Sequence, residues 1–223
     1  MQIKRPKGTA DTFGVAVAQW QYIEGVIREV TSLFGASEIR TPTFESVDLF
    51  RQSVGEDTDI VQKEMYTFKD QGDREYVLKP EVTAGAVRAY LENSIYAWPA
   101  PAKLYYVSPV YRAERPQKGR LRQHHQFGCE YFGVASPKAE AELISMVWAF
   151  FEKLGIEGVT LRVNSVGDPS CRVAYNKALL DYLNPKADKL CELCQSRMGK
   201  NPMRVLDCKN PNCKETVENA PYP

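Results

Sequence analysis

Between Arg112 and His125 the chain places Arg112, Arg115, Lys118, Arg120 and Arg122 around one acid, Glu114. The formal charge of all 223 residues is only +1, so this is a local basic site on a near-neutral protein. Such a site suits phosphates, and arginine suits them better than lysine because its planar fork donates two hydrogen bonds at once. A charge run alone is usually a solvated face; here the density of arginine and the interrupting Glu114 point to more. Just beyond lie Gln126 and Glu130, four residues apart. In a strand that even spacing puts both on one face, together with Phe132. Upstream, Glu81 and Thr83 follow Pro80. Near the end, Cys191-x2-Cys194 and Cys208-x4-Cys213 form two pairs separated by 13 residues. Two close pairs can complete a tetrahedral Cys₄ shell for a structural zinc, and Lys189, Arg197, Lys209 and Lys214 nearby favour thiolates.

The elements that position these groups follow from pattern. Residues 104–112 and 127–132 are rich in aromatic and β-branched types and read as two strands, with Pro116 and Gly119 breaking the chain between them. The result is a long hairpin with a charged tip. Residues 15–34 carry Trp20, Ile23, Ile27, Val30 and Phe34 at helical spacing, and Gly35 is the expected C-terminal stop. A strand is expected over 38–41, ending at Pro42. Residues 46–61 read as a short helix and loop. Strands at 65–69 and 75–78 pair about a turn at Gln71-Gly72-Asp73. Pro80 disfavours helix before it and permits helix after it, so Glu81 and Thr83 fall at a strand-to-helix junction with unpaired backbone N–H groups. There Glu81 could simply complement a helix dipole. Ser136-Pro137 opens a helix reaching about Leu154 and stopped by Gly155. A strand is expected over 158–165, then a helix from Asp168-Pro169 to about Leu183. At Asn184 the composition turns polar, lysine-rich and cysteine-bearing, which sets an expected boundary between 1–183 and 184–223. The segment after it has few large apolar residues, so a metal would supply folding energy there.

Hydrophobic content of 43% and charged content of 26% are those of an ordinary globular protein. No apolar run reaches the length of a membrane span, and MQIKRPKGTAD has no apolar signal core. A cytoplasmic protein without membrane contact is the expectation. Four of the six cysteines crowd the last 33 residues, which in a reducing compartment favours metal over disulfides.

Tyr111-Arg112-Ala113-Glu114-Arg115-Pro116-Gln117-Lys118-Gly119-Arg120, followed by Arg122-Gln123-His124-His125-Gln126 and Gly128-Cys129-Glu130, resembles motif 2 of class II aminoacyl-tRNA synthetases, and more narrowly the histidyl-tRNA synthetase family. Gly8 and Asp11 match that family's opening Gly-x-x-Asp, and the helix, Gly35 and strand ending at Pro42 are similar to motif 1. Where the family usually has Arg-Pro-Glu-Gly-Thr, this chain has Lys79-Pro80-Glu81-Val82-Thr83; the Glu and Thr remain. The resemblance implies an α+β fold, a class II antiparallel sheet flanked by helices, incomplete at the C-terminal side. It implies that 1–183 is the catalytic core with motifs 1 and 2, and that 184–223 begins an insertion region. It implies ATP-dependent activation of L-histidine and transfer to tRNA-His, with Mg²⁺ and a homodimer formed through motif 1.

Carried over by position, Glu81, Thr83, Arg112, Gln126 and Glu130 would hold histidine. Arg112 would also be the catalytic arginine on the α-phosphate. Glu114 and Arg120 would contact ATP, Arg115 and Gln117 the tRNA acceptor end, and His124 would face adenine. Motif 3 and a later stretch resembling Arg-Gly-Leu-Asp-Tyr-Tyr do not occur in these residues, so the expectation is an N-terminal part of such an enzyme, inactive alone. The same fold serves a non-catalytic synthetase-like subunit that partners ATP phosphoribosyltransferase in histidine biosynthesis. The complete 114–120 loop argues for the ligase. A generic basic RNA-binding hairpin would leave Glu81, Gln126 and Glu130 unexplained.

Overall fold

The hairpin is longer than its sequence pattern suggests. In the computed structural model, which describes residues 3–55, 58, 60–164 and 167–221, β5 (Ala102–Tyr111) and β6 (Gln123–Phe132) pair antiparallel from Ala102↔Phe132 to Tyr111↔Gln123. The polar run Gln123-His124-His125-Gln126 is therefore strand, because the ladder satisfies its backbone groups where propensity alone would not. The Arg112 N–H donating to the Arg122 carbonyl closes the ladder one step further, at 2.8 Å.

Elements ahead of the hairpin run in the expected order. Helix α1 (Val15–Leu33) ends as its sequence dictates: Gly35 takes φ 70°, its N–H donates to Ser32 O, and the Ala36 N–H donates to Thr31 O. That pair of bonds is a Schellman stop, which needs a residue tolerant of positive φ. Strand β1 is shorter than expected, only Ser37–Glu38, parallel to β5. The Ile39 N–H still donates to Tyr105 O at 2.8 Å, but Pro42 has no N–H to continue a ladder, and the chain crosses to a second sheet. There β2 (Phe44–Ser46), β4 (Glu75–Leu78) and β3 (Tyr66–Lys69) lie in the order β2-β4-β3, all antiparallel. Ser46 caps α2 (Val47–Val54) by accepting from the Asp48 N–H. Of the expected loop after α2, residues 56, 57 and 59 lie outside the described ones, and Ile60–Glu64 is a π-helical turn. Helix α3 (Thr83–Glu92) starts after Pro80 as anticipated.

The sheet β1-β5-β6 is covered on both faces. Tyr105, Val107, Phe127 and Cys129 pack against α1 and α4 (Pro137–Lys153) through Ile27, Val30, Met146 and Phe150. On the opposite face Tyr106 and Val110 pack with Val82 and Ala86 of α3 and its entry, and Phe132 stacks on Tyr90 at 4.1 Å between ring centroids. The fold is α+β. Residues 158–164 form no strand among the described residues, contrary to expectation, and Ser165 lies outside them. A strand needs a neighbouring strand to complete its ladder; among the described residues no strand pairs with this segment, and Leu161 and Val163 stand 51% and 76% exposed.

The chain divides into two compact units, residues 1–159 and 160–223. The division falls ahead of the compositional shift at Asn184 because α5 (Pro169–Leu183) shares its buried Leu179 and Leu183 with the C-terminal segment. Their partners there are Leu190, Cys194 and Met198 on and before α6 (Glu192–Met198), Val205, and Cys213 of α7 (Pro211–Val217).

Candidate active site

The inner face of the hairpin brings together residues far apart in sequence. Glu130 Oε1 accepts from Thr83 Oγ1 at 2.8 Å and from the Tyr106 hydroxyl at 3.1 Å, and the Thr83 and Tyr106 oxygens lie 3.3 Å apart. Burial, followed by the neighbouring Glu130 carboxylate, pushes the Tyr106 phenol up to about 12. It therefore stays a proton donor near neutrality. Glu81 is half-buried and its Oε1 accepts from the Ala84 N–H at 3.0 Å, so it caps the first turn of α3 as well as facing this cluster. Gln126 and Glu130 share the inner face, with Ser108 and Leu104 as their partners on β5.

Arg112 ties this cluster to the basic loop. Its Nε donates to the Pro80 carbonyl at 2.9 Å, one residue before Glu81, and its Nη1 lies 3.9 Å from Glu114 Oε1. Glu114 Oε2 accepts from Arg120 Nη1 at 3.0 Å, and Arg122 Nε donates to the Glu114 carbonyl at 3.1 Å. The tip is a four-residue turn, Gln117 to Arg120, bonded N–H to carbonyl in both directions, with Gly119 at φ 80°. Arg115, Gln117, Lys118 and Arg120 are exposed. The loop base is held twice: the Arg122 N–H donates to Gly8 O at 2.7 Å, and the Ala113 N–H donates to Glu64 O at 2.8 Å. Gly8 is at φ 87°, and a Cβ there would come within 2.8 Å of Arg122 and 2.9 Å of Pro116. Burial, then the Arg112 guanidinium, holds the His124 imidazole below the ordinary histidine value.

Lys79 and Val82, where the chain departs from the family pattern, have local explanations. Lys79 is buried and its Nζ donates to the Thr41 carbonyl at 3.1 Å. Val82 takes φ −112°, open to any L residue, and its buried side chain packs under Tyr106. Tyr106 is absent from the sequence-based site. Its signal is its register opposite Gly128: a Cβ on Gly128 would fall 2.3 Å from the Tyr106 oxygen, so only glycine lets the ring lie across β6 toward Glu130. A surface hollow lined by Arg28, Arg40, Lys79, Tyr105 and His125 contains none of the expected site residues.

In the second unit the four expected cysteines converge, their sulfurs all within 4.8 Å of one another.

This arrangement combines acceptors for an ammonium group (Glu81, Glu130), a donor and acceptor pair for a polar side chain (Tyr106, Gln126), and an arginine leading to exposed cations for phosphates. Comparisons with known proteins bear on the family of the chain. A family model described as histidyl-tRNA synthetase matches residues 8–201. A curated histidine–tRNA ligase of Desulfitobacterium hafniense is 53% identical over 221 residues, covering 99% of this chain and 52% of that protein; one from Clostridioides difficile is 52% identical, covering 100% and 53%. The chain thus spans about half the length of the curated relatives it matches. Among solved structures, apo histidyl-tRNA synthetase of S. aureus superposes with a TM-score of 0.75 at 37% identity, covering 99% of this chain and 56% of that one. A Bacillus halodurans structure described as an ATP phosphoribosyltransferase regulatory subunit/histidyl-tRNA synthetase, at 22% identity and a TM-score of 0.65, shares the fold. With the family's pattern legible from Gly8 onward and the inner face of the hairpin assembled around Glu130, the chain belongs to the histidyl-tRNA synthetase family.

Proposed function

We propose that this chain carries the histidine pocket and the nucleotide-facing loop of a histidine–tRNA ligase. The observation that supports this most is the convergence of Thr83 and Tyr106 on Glu130, with Arg112 anchored beside Glu81. A histidine substrate presents an ammonium, a carboxylate and an imidazole. Glu81, Thr83 and Glu130 offer acceptors for the ammonium, and Gln126 and the Tyr106–Glu130 pair are candidates for the imidazole nitrogens. Arg112 would draw the carboxylate toward the α-phosphate of ATP. The carboxylate oxygen then attacks the α-phosphorus and pyrophosphate leaves. In the second step the terminal tRNA hydroxyl attacks the adenylate carbonyl and AMP leaves. No protein nucleophile is needed; the chain's residues position reactants and neutralise charge. Mg²⁺ bound with ATP would supply further charge neutralisation; Glu114, whose carboxylate is paired with Arg120 at 3.0 Å and with Arg112 at 3.9 Å, would help hold it only by giving up one of these cations.

Glu114 and Arg120 would meet ATP, the exposed Arg115 and Gln117 the acceptor end of tRNA-His, and His124 the adenine. The intact loop favours this ligase over the regulatory-subunit reading, which has no use for it. We further propose a homodimer through α1 and β1, where Val15 and Leu33 at the ends of α1, and Phe13 just before it, are 77%, 72% and 78% exposed, and a cytoplasmic setting. Among the described residues no helix is long and apolar enough to cross a membrane. The segment 184–223 would begin the insertion region. The test is calorimetric titration of L-histidine into the chain. Glu130→Ala should abolish binding, while Glu92→Ala, whose carboxylate pairs with Arg88 on the exposed side of α3, should not. Equal binding by the two variants would remove the assignment.

A further inference from the structure

We propose that Cys191, Cys194, Cys208 and Cys213 hold one zinc ion as a closed tetrathiolate, and that this ion is the structural centre of the unit spanning residues 160–223. Sequence spacing alone left open whether the two pairs meet. In the fold all four sulfurs lie within 4.8 Å of one another, and those of Cys191 and Cys208 are 3.9 Å apart. Zinc–sulfur bonds of about 2.3 Å arranged tetrahedrally require sulfur–sulfur edges of about 3.8 Å. A disulfide requires about 2.05 Å. The close contact joins one cysteine from each sequence pair, so the sulfurs surround a point and do not couple as two separate twos.

Each ligand arrives on a short element that local rules explain. Cys191 precedes α6 and Cys194 lies in its first turn, with the Gln195 N–H returning to the Cys191 carbonyl at 3.0 Å. Cys208 follows the 3₁₀ turn Pro202–Val205 and donates its N–H to Val205 O. Cys213 lies in α7, whose entry Asn210 caps. The Cys191 N–H points at the Cys213 sulfur at 3.2 Å, a bond that serves a thiolate and orients a ligand. The plain alternative is four thiols acting as small hydrophobes. Cys194 and Cys213 are indeed buried with Leu179, Leu183 and Val205. That alternative does not account for all four sulfurs facing one centre with a backbone donor on one of them. The ion would enter with loss of up to four thiol protons, leaving a site of charge −2 with Lys189, Lys209 and Lys214 flanking it in sequence; nothing is oxidised. No residue of the proposed histidine, ATP or tRNA site belongs to this unit, so the inference stands or falls apart from the proposed ligase.

The test uses the 223-residue chain purified without chelator. Elemental analysis should give about one zinc per chain, and cobalt(II) exchanged into the protein should show the spectrum of a tetrahedral tetrathiolate. Cys208→Ser should lose the metal; since that variant could also fail to fold, Cys171→Ser and Cys129→Ser serve as controls that keep it. On the wild type, a strong chelator should remove amide-exchange protection from α5, α6 and α7 while leaving β5 and β6 protected, and zinc salt alone should restore it. Metal-free wild type whose α5–α7 protection is indifferent to chelator and zinc overturns the proposal. So do two disulfides in native protein, iron in place of zinc, or failure of zinc to restore protection.

Discussion

At the scale of residues, the Tyr106 hydroxyl is worth isolating. It touches both Thr83 and Glu130, and its raised pKa keeps it a donor. Tyr106→Phe removes that donor and leaves the ring packed against Val82 and Val110. Histidine affinity should fall by about 1 kcal/mol, roughly fivefold in Kd, with the melting temperature nearly unchanged. Calorimetry beside a thermal melt separates the two effects, and unchanged affinity would exclude Tyr106 from the pocket. His124 gives a pH prediction. Burial and Arg112, with a smaller contribution from His125, hold its pKa down, opposed by a hydrogen bond with the Leu121 backbone and then by Glu114. The folded state therefore takes up its proton at lower pH than the unfolded chain. The contribution to stability is complete above the unfolded value of about 6.5 and is lost as pH falls from there through the folded midpoint. A ring-proton NMR titration should place the His124 midpoint below the ordinary histidine value; a midpoint at or above it contradicts this environment.

Among the elements, the hairpin decides most of the site, and Gly128 decides how the hairpin is used. Gly128→Ala would set a methyl 2.3 Å from the Tyr106 oxygen, expelling the ring. The expected cost is about 1–3 kcal/mol of stability, together with loss of histidine binding, while the β5–β6 register survives. Urea unfolding and calorimetry on this one variant report both; a fully stable, binding-competent Gly128→Ala would show that the ring has another place to go. This element also shows how much was legible in the sequence. Gln126 and Glu130 could be put on one face because strand period is fixed. Thr83 and Glu81 could be put at a helix start because Pro80 limits where helix begins. Tyr106 could not, since its role depends on cross-strand register, which two separate strand patterns do not specify. The expected strand over 158–165 failed for the same kind of reason. Its alternation is real, but a strand exists only with a partner, and partners are not written locally. The cysteine quartet was readable as two pairs, while their meeting at one point required the turns between them.

Taken whole, the chain is nearly neutral, so the binding of polyanions proposed above would draw on the loop and not on a net charge. Replacing the exposed Arg115 with Ala should weaken binding of an acceptor-stem RNA and lower the slope of log affinity against log salt by about one. Affinities measured across a salt series would show it, and an unchanged slope would place Arg115 away from phosphate. The N–H of Arg122, which fixes the base of that loop, is answered by the carbonyl of Gly8, so the two halves of one clasp are separated by 114 positions of the chain. A chain emerging from the ribosome presents Gly8 long before Arg122 exists. Until the hairpin has been made, the Gly8 carbonyl lacks this donor, so the clasp at the base of the basic loop is a contact of high sequence separation, the kind whose closure costs the most chain entropy.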